Sequence, residues 1–242
     1  MDAAHETIYT TTTPYPNAGV AITAIAGNTR LTLKSLMLAL LLIAPFDIIA
    51  RSGVPLLAAA EEGDIESVKR LLHRKTNVNI RDRHGDTALM WAAKQGHTEI
   101  VKLLIDSRAN VDLKNNDGWS ALMAATVAKH AEVVSMLIEA GADVNTSLKS
   151  GWTALMVASA AGLTDIAKIL LDSGAEVNAV GYPDFTALMA ASQAGRTEIV
   201  RMLIEAKADL NRQNQKGSTA LQIAREKGFQ EIVEMLVNAG AE

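Results

Sequence analysis

Few residues in this chain have the type and spacing to do chemistry. Five histidines, His5, His73, His84, His97 and His130, are the natural candidates for metal ligation or proton transfer. None pairs with another as His-x-x-x-His or His-Glu-x-x-His, the spacings that put two ring nitrogens on one helical face. No carboxylate cluster joins them at ligand spacing. Cysteine is absent, which removes thiolate ligands, a cysteine nucleophile and disulfides together. Neither a Gly-x-Ser-x-Gly elbow, a glycine-rich phosphate loop nor a pair of carboxylates set for acid–base work appears. The residues point away from an enzyme, and no catalytic residue, cofactor or metal is expected. The net charge of −4 comes from interspersed acids and bases, without the basic tract that marks a nucleic-acid binder.

What the sequence has instead is order along its length. One four-residue word recurs as Val54-Pro55-Leu56-Leu57, Thr87-Ala88-Leu89-Met90, Ser120-Ala121-Leu122-Met123, Thr153-Ala154-Leu155-Met156, Thr186-Ala187-Leu188-Met189 and Thr219-Ala220-Leu221-Gln222, a step of 33 each time. Leu71, Leu104, Leu137, Leu170, Leu203 and Leu236 keep the same step, as do Glu66, Glu99, Glu132, Asp165, Glu198 and Glu231. Six copies in register require six copies of one structural unit.

Each unit reads as two short helices. The opening Thr or Ser can cap free backbone N–H groups, and Ala or Pro suits the first turn. Gly63, Gly96, Gly162, Gly195 and Gly228 stand where that helix must stop. Apolar residues at i, i+1, i+3 and i+4, as in Ile100, Val101, Leu103 and Leu104, give the second helix one broad buried face. The acidic column lies in its first turn, favourable against the helix dipole. That helix ends at Gly141, Gly174 and Gly240, with Lys75, Arg108 and Lys207 replacing glycine in three other copies. A composition of 49% hydrophobic and only 4% aromatic residues suits such closely stacked helices.

This pattern closely resembles the ankyrin repeat, with its period of 33 and its Thr-Pro-Leu-His-x-Ala opening, over residues 52–242 with units starting near 52, 85, 118, 151, 184 and 217. The resemblance implies an all-α solenoid of stacked helix pairs with projecting β-hairpin loops, curved so that hairpin tips and first helices line a concave face. It departs from the family at one column: the motif's His is Leu57, Met90, Met123, Met156, Met189 or Gln222 here, so apolar packing replaces a polar link, and the methionines are expected in the core. Each unit should touch only its neighbours. Leu137 is therefore expected to be buried from both sides, and Leu236 to have support from one. Gln222, Arg225, Glu226 and Lys227 make the last first helix polar, as a terminal cap should be.

The resemblance also implies a function, the binding of another protein, and says where to look: hairpin tips and residues late in each first helix. One tip column reads Gly53, Asp86, Trp119, Trp152, Phe185 and Ser218, with Lys149 and Tyr182 beside it. The helix column is charged at both ends of the chain and small in the middle, at Val127, Ala160, Ala161 and Gln193. Asp86, Trp119, Lys149, Trp152, Tyr182 and Phe185 with those four are the candidate partner-binding residues. Aromatic anchors within a polar rim describe a hot spot. Packing of each aromatic on the next hairpin explains the same residues equally well.

Residues 1–29, broken by Thr10–Thr13 and Pro14, show no stable element and read as disordered or dispensable. Residues 30–50 read as a signal peptide or membrane anchor. Arg30 and Lys34 precede an unbroken apolar run from Leu36 to Ala44, shorter than the roughly 20 residues of a membrane span but within the length of a secretory signal. The favoured reading is an exported, periplasmic or membrane-anchored monomer of bacterial type, in contact with the membrane through residues 36–50 if that segment is retained. Helix 36–50 capping the first repeat, and a cytoplasmic location, are the alternatives.

Overall fold

The computed structural model describes residues 54–242; the readings of residues 1–53, signal, anchor and cap alike, lie outside the described residues, as does Gly53. Within it, twelve helices alternate in length. The first helix of each unit has eight residues: α1 (Pro55–Glu62), α3 (Ala88–Gln95), α5 (Ala121–Ala128), α7 (Ala154–Ala161), α9 (Ala187–Ala194) and α11 (Ala220–Lys227). The second has nine: α2 (Ile65–His73), α4 (Thr98–Asp106), α6 (Ala131–Glu139), α8 (Thr164–Asp172), α10 (Thr197–Glu205) and α12 (Gln230–Asn238).

The local signals act as their chemistry requires. Thr87, Ser120, Thr153, Thr186 and Thr219 accept a hydrogen bond from the backbone N–H three residues on. Each first helix ends on a left-handed residue: Gly63, Gly96, Gly162, Gly195, Gly228 and, in the third unit, Lys129. The methionines are core: Met90, Met123, Met156 and Met189 are at most 5% exposed. Gln222, the odd residue of that column, closes a capping box in which its Oε1 accepts from Thr219 N at 2.9 Å.

Consecutive first helices contact one another more than consecutive second helices do. With the shorter helices packed tighter, the stack curves with the first-helix layer on its inner side. The loops between units are slighter than hairpins of full strands: among the described residues they carry single antiparallel bridges, Arg81 with Thr87, Ser147 with Thr153 and Gly181 with Phe185.

Two ladders tie unit to unit. Asn79, Asp112, Asn145, Asn178 and Asn211 each accept, through Oδ1, the backbone N–H of the residue 31 positions on, at 2.7–2.9 Å. On the inner edge, His97 and His130 donate from Nε2 to the carbonyls of Glu61 and Lys94, both at 3.1 Å, and Arg196 donates from Nε to Ala160 O at 3.5 Å. The approach needs glycine at the helix end below. A Cβ on Gly96 would sit 2.5 Å from the His130 ring. Two of the five histidines are thus stacking residues.

The leucine column corrects the expectation that its last member is half-supported. Leu236, in the last described unit, is 0% exposed, whereas Leu71, in the first, is only partly buried. The column therefore packs toward the preceding unit. The next-facing column runs through Leu72, Ile105, Ile138, Leu171 and Ile204, partly buried, to Val237, which is 46% exposed.

Candidate partner-binding surface

The inner surface is built from the last turn of each first helix. Glu61 and Glu62 lie at the first unit and Lys94 and Gln95 at the second, with Lys94 Nζ 5.0 Å from the ring centre of the buried Trp91. Across α5, α7 and α9 no ionisable side chain occurs. There the partly exposed residues are Ala124, Val127, Ala128, Ala161, Gln193 and Ala194. Arg225, Glu226 and Lys227 of α11 are exposed at the far end. First helices without ionisable side chains, edged by Lys129 and Arg196, offer apolar contact with few ions to desolvate, the term that penalises a charged interface most.

The loop tips above this floor are of two kinds. In the first, second and last described loops one Asx side chain organises the turn. Asp82 Oδ1 accepts from His84 N and Asp86 N, Asn115 Oδ1 from Asp117 N and Trp119 N, and Asn214 Oδ1 from Lys216 N and Ser218 N, all at 2.8–3.0 Å. The two central loops have Leu148 and Gly181 at that position, so no side chain can do the same work. Trp152 takes it over. Its Nε1 donates to Tyr182 O at 3.0 Å, and its ring stacks on Phe185 with centroids 6.5 Å apart and planes 11° off parallel. Gly181 is needed here because a Cβ would lie 2.7 Å from Trp152 Cδ1. Tyr182 N donates to Ser150 O at 2.7 Å, and Pro183 O accepts from Gln215 N at 3.4 Å. The backbone under Tyr182 is thus held from both sides while its side chain is 43% exposed.

These contacts sort the ten candidate residues. Tyr182 and Lys149 are exposed; Trp119, Phe185, Val127, Ala161 and Gln193 are partly exposed. Three are buried, against the expectation that they lie on the surface. Trp152 is 4% exposed, Ala160 0% and Asp86 2%, so none offers its side chain to a partner. For Trp152 the packing explanation is the right one. The sequence leaves the two readings level because burial depends on Gly181 and on the Tyr182 carbonyl in the next unit, 30 residues away. The glycine at an otherwise Asp, Asn or Leu column was the one available signal.

Asp86 is a carboxylate enclosed between the first two loops. Asn115 Nδ2 donates to its Oδ1 at 2.7 Å. Burial pushes its pKa up to about 6, the Asn115 hydrogen bond works against that rise, and the charge of Asp82 adds to it. Arg81 braces the same pair of loops by donating to Gly85 O at 3.0 Å and to Lys114 O. Among the described residues no group of three His, Asp or Glu side chains is arranged to hold a metal ion, and no helix is long and apolar enough to cross a membrane.

Comparison with known proteins agrees with this architecture. The family profile for ankyrin repeats (3 copies) matches residues 56–148 and 180–242, and that for a single ankyrin repeat matches 150–182. No curated protein matches the sequence. Among solved structures, an ankyrin repeat domain from Acinetobacter baumannii is 34% identical, with a TM-score of 0.74, over 78% of this chain and 98% of that one. A chain from the complex of the predatory endopeptidase Bd0816 of Bdellovibrio bacteriovorus with immunity protein Bd3460 is 35% identical, with a TM-score of 0.69, over 76% of this chain and 97% of its own. From profile, repeat register and stacking contacts together, the chain belongs to the ankyrin-repeat family.

Proposed function

We propose that this protein is a non-catalytic binding module that holds a partner protein against the inner surface of its third to fifth repeats, with Tyr182 as the aromatic anchor at the rim. The observation that carries the reading is that α5, α7 and α9 carry no ionisable side chain, with Lys129 and Arg196 at their edge, Lys94 on one side and Arg225 to Lys227 on the other. The partner therefore presents an apolar segment flanked by charge, and Tyr182 closes over it from a backbone that needs no ordering on binding. The similarity to a chain of an endopeptidase–immunity protein complex supports a narrower form: the partner is a single envelope enzyme, which the repeat stack holds or inhibits in an exported or membrane-anchored setting. A membrane-tethered organiser using the same surface is the second reading, motivated by the apolar run Leu36–Ala44.

The experiment is capture of the partner by the full chain, repeated with Ala161→Arg and Tyr182→Ala. The arginine places bulk and charge on the floor and should abolish capture without loss of helical content. Tyr182→Ala should weaken binding by about 2 kcal/mol, as a hot-spot aromatic does, while stability moves by less than about 0.5 kcal/mol. Undiminished capture by Ala161→Arg would place the binding surface elsewhere. N-terminal sequencing of the cell-derived protein tests the location: a start near Arg51 supports export, retention at the membrane supports the tether.

A further inference from the structure

The ions around the floor and those on the opposite side of the stack differ in sign. Lys129 and Arg196, both exposed, stand at the edge of the uncharged helices α5, α7 and α9. Lys94 lies before them, and Arg225, Glu226 and Lys227 beyond. The loops over this floor, residues 113–119, 146–152, 179–185 and 212–218, hold Lys114, Lys149, Arg212 and Lys216 against Asp117 and Asp184. The outer side has the opposite balance. Glu132 and Glu139 of α6 and Asp143 just after it are exposed acids, and exposed acids stand at the same three positions of the fourth and fifth repeats. Against these nine, α6, α8 and α10 with the turns after them hold Lys168, Arg201 and Lys207, and Arg201 is already paired with Glu198 at 3.4 Å. Lys129 adds a conformational observation. Among the described residues every other first helix ends on a glycine at positive φ, whereas Lys129 takes that place with φ 68°. A side chain is disfavoured in the left-handed region and glycine is not, so this site keeps a lysine against the preference of its backbone.

Resting on the floor reading above, we propose that the segment the partner protein presents is acidic: an apolar stretch flanked by Asp or Glu, whose carboxylates meet Lys129, Lys149 and Lys216. Cations at a hydrated rim pair with carboxylates without the desolvation that buried ions suffer. A basic segment would set like charges side by side over the same floor. The acids of the outer side lie behind a second helix layer, about 8–10 Å away between axes. That is roughly one screening length at physiological salt, so the nearer cations set the sign of the field at the floor, while the outer acids repel an acidic segment from the wrong side. Glu61 and Glu62, at the first repeat, confine the acidic contact to the repeats beyond Lys94. Nucleic acid matches the charge but not its spacing. Duplex DNA carries one phosphate charge about every 1.7 Å of its axis and calls for a dense basic tract, whereas these cations are dispersed around an apolar surface.

The test is selection of random displayed peptides on the immobilised full chain. Selected peptides should combine apolar residues with Asp and Glu in excess over Lys and Arg, and Ala161→Arg should abolish their binding. Lys149→Glu/Lys216→Glu should weaken them about tenfold, roughly threefold for each exposed ion pair lost, mainly by slowing association. Raising the salt should erase that difference. Lys129→Gly should weaken binding about threefold and leave thermal stability unchanged or higher, a combination that a purely structural lysine does not give. Lys168→Gln, on the outer side, should change neither. Selected peptides that Ala161→Arg abolishes but that show no acidic excess, or undiminished binding to the double variant, would overturn the proposal and leave the floor reading standing. Duplex DNA that displaces the selected peptides would overturn it in favour of nucleic acid. Peptides that still bind Ala161→Arg would overturn the floor reading, and this inference with it.

Discussion

The two ends of the solenoid finish the same repeat in opposite ways. At the N-terminal end the second helix is made polar: Ser67 and Arg70 replace buried isoleucine or valine and partly buried leucine, isoleucine or methionine, and Leu71 is left partly exposed. At the C-terminal end the first helix is made polar, with Gln222, Arg225, Glu226 and Lys227 exposed, while the second keeps Val233 partly exposed and Val237 46% exposed. The difference follows from direction. The leucine column packs backward, so among the described residues no unit precedes Leu71 to cover it, while Leu236 is covered by the unit before it. A repeat array is symmetric in sequence and polar in packing, and its two caps are different chemical problems.

The largest test of this directional packing uses the leucines. Leu236→Ala should cost about 2–5 kcal/mol, as Leu137→Ala should, because both side chains are fully buried and each leaves a cavity. Leu71→Ala should cost about 1 kcal/mol, since part of its surface is already in water. Denaturant titrations of the three variants decide it. A mild Leu236→Ala beside a severe Leu71→Ala would reverse the assigned direction.

Next in size is Asp86, buried near the N-terminal end, which has no counterpart at the C-terminal end. Its folded pKa of about 6 lies above the ordinary carboxylate value of 3.8, so the folded state binds the proton more tightly. Stability should rise as pH falls from about 6 toward 4 and be flat above about 7. Asp86→Asn keeps an acceptor for Asn115 and removes the charge. It should stabilise the protein at pH 7 by on the order of 1–2 kcal/mol and contribute little at pH 4. Thermal unfolding at the two pH values reads this out, and an equal effect at both would remove the buried charge as the cause.

The capping box at the C-terminal end is worth less. Gln222→Met restores the residue of the four central repeats and loses the bond from Thr219 N to Gln222 Oε1 at 2.9 Å. A loss of about 1 kcal/mol is expected, seen as earlier fraying of the last repeat in amide exchange; unchanged protection there would make the glutamine a solubility residue only. Smallest is Val237→Lys, which should shift stability by less than about 0.5 kcal/mol because nearly half of the residue is exposed. A loss above about 1 kcal/mol in the same denaturant assay would mean that the C-terminal second helix is covered after all.

The repeat architecture was legible in the sequence because its determinants are local and periodic. A hydroxyl before Ala-Leu-Met, a glycine eight or nine residues later and a leucine every 33 positions specify helix starts, helix ends and a buried seam without knowledge of the neighbours. The small, uncharged middle of the inner surface was legible for the same reason, since side-chain size and charge at a known column do not depend on packing. Tertiary structure alone decided which members of a column face solvent. Asp86, Trp119, Trp152 and Phe185 occupy one repeat position, yet Asp86 and Trp152 are buried and the other two partly exposed. The outcome rests on partners in the following unit, Asn115 for one and Gly181 with the Tyr182 carbonyl for the other. Burial is a property of the pair of units in contact, and period and residue type specify each unit only by itself.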